Sequence, residues 1–234
     1  MQAVFGFYDV IANIIPGILV LWTLSYTLTT LHVTIPAQVG GDAWAATVYF
    51  VFAYVLGSLI HKSSLRFGPR KWQQYGGPPS VVLMSDKSSY SKPLREAISK
   101  ALNERFPEIS NSSISDGAKT KELFDLAYQL VVDQKVSDRP TRFNSLYGFC
   151  RGLALCLPIC STILALNAAW QIVLIFKAQA PISSFVMPLS LAILFLAGRQ
   201  ISEYQAISRG RSFADSVYKS FYLWHKLGKP KGSE

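Results

Sequence analysis

The chain has 234 residues, half of them hydrophobic and only 16% charged, with a mean hydropathy of +0.25. An ordinary soluble domain carries about 25% charged residues, so this composition excludes that class, along with collagenous, low-complexity and disulfide-scaffold chains. The net charge of +9 does not point to nucleic acid, because no recognition motif accompanies it and membrane topology accounts for its distribution.

A helix crosses a bilayer core with about 20 mainly apolar residues, within a range of about 17–25. Four segments meet or approach that length. They run from Val10 to Leu31, Ala43 to Ile60, Gly152 to Phe176 and Pro181 to Gly198, and none contains Lys, Arg, Asp or Glu. The fourth is short and carries Pro188. The third has a rival reading as two pieces broken at Pro158. The first is expected to be a retained helix rather than a cleaved signal, since MQAVFGFYDV supplies no basic region ahead of it.

Basic residues collect on the cytoplasmic side of membrane proteins. Of the 23 Lys and Arg, 15 lie between Lys62 and Arg151 and 7 lie from Arg199 onward. The connections between the first and second spans and between the third and fourth hold Lys177 alone. Both termini and the central segment are therefore expected inside, in a bacterial inner membrane. The implied organisation is spans one and two in residues 1–61, a cytoplasmic insert in 62–151, spans three and four in 152–198, and a basic tail in 199–234. The fold class is an all-α membrane protein: four transmembrane helices, a mainly helical insert and a basic amphipathic C-terminal helix.

The first span holds Asp9 and Asn13, four residues apart and on one helix face. Pro16 and Gly17 follow, and Pro16 is expected to kink the helix because it lacks an amide donor.

In the insert, Gly76-Gly77-Pro78-Pro79 breaks any helix, and Val81 to Met84 reads as a short apolar strand or extended strip. Ser91 is an expected N-cap, with Pro93 in the first turn. Leu94, Ile98, Leu102 and Phe106 then share a face, and Pro107 stops the helix. A loop over 111–117 leads to a second helix, expected from Thr120 to Val136, with Leu123, Phe124, Ala127, Leu130 and Val131 on its apolar face. The two faces are expected to pair as a helical hairpin. Arg139, Arg142 and Arg151 with Tyr147 then form a basic, aromatic collar suited to anionic headgroups.

In the third span, Cys156 and Cys160 share a face with no metal-ligand spacing and read as packing residues, with Cys150 one turn and a half earlier. Asn167 and Gln171 lie four apart. Their plain role is helix glue worth about 0.6–2 kcal/mol; a role in assembly between copies or a permeation path is the alternative.

The tail places Phe213, Val217, Phe221, Trp224 and Leu227 on one face, with Arg209, Arg211 and Lys219 among the charges around it. That pattern reads as an interfacial helix. The rival is a helix continuing from the fourth span and packing on the insert, with Gly198 and Gly210 as candidate breaks.

Asp9, His61, Arg151 and Arg199 fall at the inner ends of the four spans. They are expected to form one polar layer, with Asp9 paired to Arg151 or Arg199. No catalytic, cofactor-binding or metal-ligating constellation is present in the sequence. The leading functional expectation is a non-enzymatic, oligomerising membrane protein that couples a cytoplasmic signal or protein partner to the bilayer. The alternative is a small transporter or lipid-processing protein with a site at the cytoplasmic mouth.

Asp9…Pro16-Gly17, Trp72…Tyr75-Gly76-Gly77-Pro78-Pro79 and Arg142…Asn144…Tyr147-Gly148-Phe149…Arg151 together carry a resemblance. On these stretches the chain resembles a group of uncharacterised bacterial four-span inner-membrane proteins with an insert between the second and third spans. Small multi-span proteins of this design also look like membrane components of phage-defence systems. The resemblance implies a class and no catalytic residue.

Overall fold

The computed structural model describes residues 7–32, 42–66, 77–86, 88–110, 115–177 and 180–228. Among them every regular element is helical. The helices are α1 (Phe7–Thr30), α2 (Asp42–Arg66), α3 (Pro79–Met84), α4 (Lys92–Arg105), α5 (Pro107–Ser110), α6 (Asp116–Asp133), α7 (Arg139–Phe176) and α8 (Val186–Leu227), with a 3-10 turn at Ile182–Phe185 before α8. Four of them, α1, α2, α7 and α8, are long and apolar enough to cross a membrane.

The chain divides into two compact units. One comprises Met1–Gly68 and Gly148–Ala206 and contains the apolar spans. The other comprises Pro69–Tyr147 and Ile207–Glu234. The insert and the tail thus belong to one unit instead of forming two separate regions.

At 1.5 Å per residue, α7 with 38 residues and α8 with 42 are about 57 and 63 Å long. That is about twice a hydrocarbon core of about 30 Å, so both helices are longer than one crossing needs. The rival break at Pro158 does not occur, nor do breaks at Gly198 or Gly210. Pro188 falls in the first turn of α8, where the missing amide has no helical acceptor to lose.

In the membrane unit, α1 and α2 approach until backbone meets backbone. A side-chain carbon on Gly17 would fall on the Ala53 carbonyl, and one on Gly57 would fall on the Asn13 carbonyl. Asn13 and Gly17 on α1 therefore face Gly57 and Ala53 on α2. Small residues four apart allow this, and dispersion rather than water exclusion drives helix association in lipid. Gly17 is thus a contact residue, and α1 runs through Pro16 from Phe7 to Thr30 as one helix. The outer face of α2 exposes Phe50, Val51, Phe52, Val55 and Leu59, an apolar surface suited to lipid.

The helical unit has a core shared by three elements. Ile98, Ala101 and Leu102 of α4 and Leu123, Phe124, Ala127 and Val131 of α6 meet Val217, Tyr218 and Phe221 of α8. The hairpin of two insert helices is therefore completed by the tail. This overturns the interfacial reading of the tail: Val217 and Phe221 are fully buried in protein and cannot face a bilayer. The 199–234 segment is also no separate helix, since α8 is continuous through it to Leu227.

Two boundaries differ from expectation. Val81 to Met84 is helical, not extended. A short apolar run is ambiguous by period alone, and Pro79, with its fixed φ, starts a helix well. Helix α6 begins at Asp116 instead of Thr120, because an acidic residue in the first turn favours the helix dipole. It ends at Asp133, where Lys135 adopts φ 48°. The Val136 amide then donates to the Val131 carbonyl and the Lys135 amide to Val132, both at 3.0 Å, a Schellman closure with lysine in the usual glycine position. Ser91 and Ser115 hold the N-cap positions of α4 and α6 without a side-chain cap bond.

Overpacking a filled contact costs about 1–3 kcal/mol, and more where backbone blocks relief. Gly57→Leu should lower the apparent melting temperature in detergent sharply, whereas Val55→Leu on the exposed face of α2 should not. Equal melting of the two variants would mean that α1 and α2 do not touch at backbone distance.

Candidate functional site

The polar residues of the membrane unit are used for packing. At one end, Arg151 of α7 is 8% exposed. Its Nε donates to Ser64 Oγ at 2.9 Å, and Ser64 Oγ donates to the His61 carbonyl at 2.7 Å. Gly148 presses on the His61 ring, since a Cβ there would come within 2.6 Å of His61 Cε1. Arg199 pairs with Glu203 one turn along α8 at 2.9 Å. The expected partner of Arg151 or Arg199, Asp9, has its side chain outside the described residues. The described partners, Ser64 and Glu203, were not anticipated; the serine carried no signal, and Glu203 was visible only as an i,i+4 charge pair.

Along the bundle, the Cys156 thiol donates to the Pro16 carbonyl at 3.3 Å, and its sulfur lies 3.8 Å from Cys160. Ser161 Oγ donates to the Ala192 carbonyl at 2.8 Å, tying α7 to α8. At the other end, Asn167 Nδ2 donates to Thr30 Oγ1 at 2.8 Å and Gln171 Nε2 donates to the Thr30 carbonyl at 3.3 Å. Asn167 and Gln171 are 2% and 5% exposed. Both NH₂ groups are engaged within one chain, which fits the helix-glue reading.

A concave surface occurs in the helical unit. A groove of about 1120 Å³ runs between the α6–α7 connection with the start of α7, and the last turns of α8. Lys135, Arg139 and Lys219 supply its charge. Phe143, Leu223 and Trp224 supply its apolar lining. Leu223 and Leu227 are 55% and 80% exposed, unusual for leucines outside a span. Of the residues expected to contact lipid or a partner, the structure gathers Arg139, Lys219 and Trp224 here. Arg142, Tyr147, Arg209 and Arg211 do not line it.

The charge of the groove follows from its neighbours. The Tyr90 hydroxyl donates to Asp215 at 2.8 Å and Lys219 pairs with the same carboxylate at 2.9 Å. Asp215 is thereby matched inside the unit. Among the described residues Lys135 and Arg139 make no ion pair, so the groove presents net positive charge over an apolar floor. The sequence concealed this because residues 135–143 and 212–228 are far apart in the chain. Comparison with protein-family models, curated proteins and solved structures finds no match to this chain.

Burial raises the pKa of Tyr90 above its ordinary value, and Asp215 beside it pushes in the same direction. Burial raises Tyr218 likewise, with the Asp125 carboxylate adding to it. A raised folded value means the neutral phenol is favoured, so this stability is fully present below about pH 10, the unfolded value, and is lost as pH climbs above it. Melting of the intact protein should be flat from pH 8 to about 10 and fall beyond. Tyr218→Phe should shallow that alkaline fall, while losing about 0.5–1.5 kcal/mol at neutral pH for its bond to the Ser80 carbonyl. An unaltered alkaline slope in the variant would contradict the assignment.

Proposed function

We propose that this chain is a non-enzymatic, multi-pass protein of a bacterial inner membrane with both termini inside, which assembles with copies of itself and couples a cytoplasmic protein partner to the bilayer. The observation that carries this reading is helical continuity. Helices α7 and α8 each supply residues to both units without a break in the helix. A ligand that tilts or turns the 139–147 or 207–227 portion acts on a helix that also forms the membrane bundle. Independent domains are usually joined by flexible linkers, and none interrupts α7 or α8.

The partner reading rests on the groove. At about 1120 Å³ it is larger than ordinary small-molecule sites of about 300–1,000 Å³. Basic side chains around exposed Leu223 and Leu227 and half-buried Trp224 match an acidic amphipathic helix laid apolar face down. The resemblance to membrane components of phage-defence systems supplies the class of process, an effector, sensor or scaffold of the envelope. The cytoplasmic orientation of the groove rests on the distribution of Lys and Arg along the sequence.

Orientation is the premise most easily tested. In a Cys150→Ser background, an impermeant maleimide added to intact cells should label Thr29→Cys, at the far end of α1. Ser89→Cys and Ser208→Cys should react only after lysis. The opposite pattern would place the groove outside and remove the cytoplasmic coupling. Native mass spectrometry in nanodiscs should give a multiple of 25.9 kDa; a single-chain mass would contradict self-assembly.

A further inference from the structure

The wall that α8 gives the basic groove is made of two rows at four-residue spacing. Ser212, Ser216 and Ser220 lead to Trp224 in one row, and Lys219, Leu223 and Leu227 make the other. The start of α7 adds Arg139 and Phe143, again four apart. Rows at this spacing are the ridges along which helices pack, and the channel between two neighbouring ridges accepts a ridge of the same spacing from a second helix. From Ser212 to Leu227 the rows extend about 22 Å at 1.5 Å per residue, or about four turns.

The rows change character along their length. The first half is small. The Ser212 hydroxyl donates to the Ser208 carbonyl at 3.2 Å and the Ser216 hydroxyl to the Phe213 carbonyl at 2.8 Å, so these serines are satisfied within α8 and permit close approach. The middle is cationic. The Lys219 ammonium pairs with Asp215 at 2.9 Å and, with three protons, keeps donors to spare, while Arg139 makes no ion pair among the described residues. The far half is apolar. Leu223 and Leu227 are mostly exposed, and the Arg105 guanidinium lies 5.6 Å from the centre of the Trp224 ring, a cation–π contact that steadies the indole.

We propose that the groove receives one helix of a partner protein in a set register, with an acidic residue at position i against Lys219 and Arg139 and large apolar residues at i+4 and i+8 against Leu223, Trp224 and Leu227. This rests on the reading of the groove as a partner site and adds the sequence pattern the partner must carry. Four residues advance either helix by about 6 Å, so a partner ridge laid between the two rows keeps step with them. The acidic residue comes first in the partner, because the dipole favours a carboxylate near a helix N-terminus. The partner helix therefore runs in the same direction as α8.

The test uses the full chain in phosphatidylcholine nanodiscs and two fluorescent helical peptides of identical composition. The matched peptide carries Glu at i and Leu at i+4 and i+8. In the displaced peptide both Leu residues are moved by two positions, onto the opposite face from Glu. Fluorescence anisotropy should show the matched peptide binding about tenfold tighter, the size expected when apolar anchors are lost from an interface. Leu227→Ser, at an exposed position outside the core, should weaken the matched peptide about three- to tenfold and leave the displaced one unchanged. Arg139→Glu should weaken the matched peptide, and Lys in place of the peptide Glu should restore binding to that variant. Equal affinity of the two peptides would overturn the register while leaving the groove as a site for acidic helices. Binding of neither would overturn both the register and the partner reading beneath it. Matched-peptide binding that ignores Leu227→Ser and Arg139→Glu would place the peptide elsewhere on the chain and overturn the proposal as well.

Discussion

Hydrocarbon offers no hydrogen-bond partner, so every backbone group within it must be satisfied by the helix that carries it. The architecture follows from that constraint. Helix α7 passes Pro158 and α8 passes Gly198 without interruption, because a break would leave several carbonyls and amides unmatched. Once started, such a helix stops only where other chemistry stops it. Helix α7 ends at Phe176 and α8 ends at Leu227, before Gly228 at φ 72°. The result is two helices about twice the length of a crossing, each contributing to both compact units.

Within the membrane unit, specificity comes from a few sites where helices touch closely or share a polar bond. The Gly17–Ala53 and Gly57–Asn13 approaches fix α1 against α2. Ser161 ties α7 to α8, Arg151 reaches Ser64 on α2, and Thr30 receives both Asn167 and Gln171. Oily side chains pack equally well against lipid, so these polar and small residues define which helix faces which. The helical unit works differently. There water drives burial, and Ile98, Val131, Val217 and Phe221 fill a core of ordinary type.

The sequence made the four spans legible because each is an unbroken apolar window. It made α4 legible because Leu94, Ile98 and Leu102 repeat at helical spacing. It did not reveal the length of α8: Gly198-Arg199 marks where hydrocarbon ends, and composition says nothing about where the helix ends. The tail is ambiguous in sequence for a related reason. An aromatic stripe flanked by lysines fits a bilayer surface and a protein core equally, and only the presence of α4 and α6 opposite Phe221 decides between them. The spacing of Asn167 and Gln171 suggests glue, but nothing in the sequence marks their partner Thr30, a threonine at the end of an apolar helix. Gly57 carries no sequence signal either, its meaning lying entirely in the Asn13 backbone that stands across from it.

The bundle suited to a membrane and the helical unit with its basic groove are built in part from the same two helices, α7 and α8. The coupling proposed above requires that a disturbance of one unit be felt in the other. Phe221 is fully buried in the helical unit, and its truncation to alanine costs about 3–5 kcal/mol. Cys160 is fully buried in the membrane unit, and its thiol reports on opening of that bundle. The direct measurement is the maleimide reaction rate of Cys160 in nanodiscs, in a Cys150→Ser, Cys156→Ala background, with and without Phe221→Ala. Coupling through α7 and α8 predicts a rate raised several-fold by the distant substitution. An unchanged rate, with the helical unit shown to be loosened by hydrogen exchange, would contradict it.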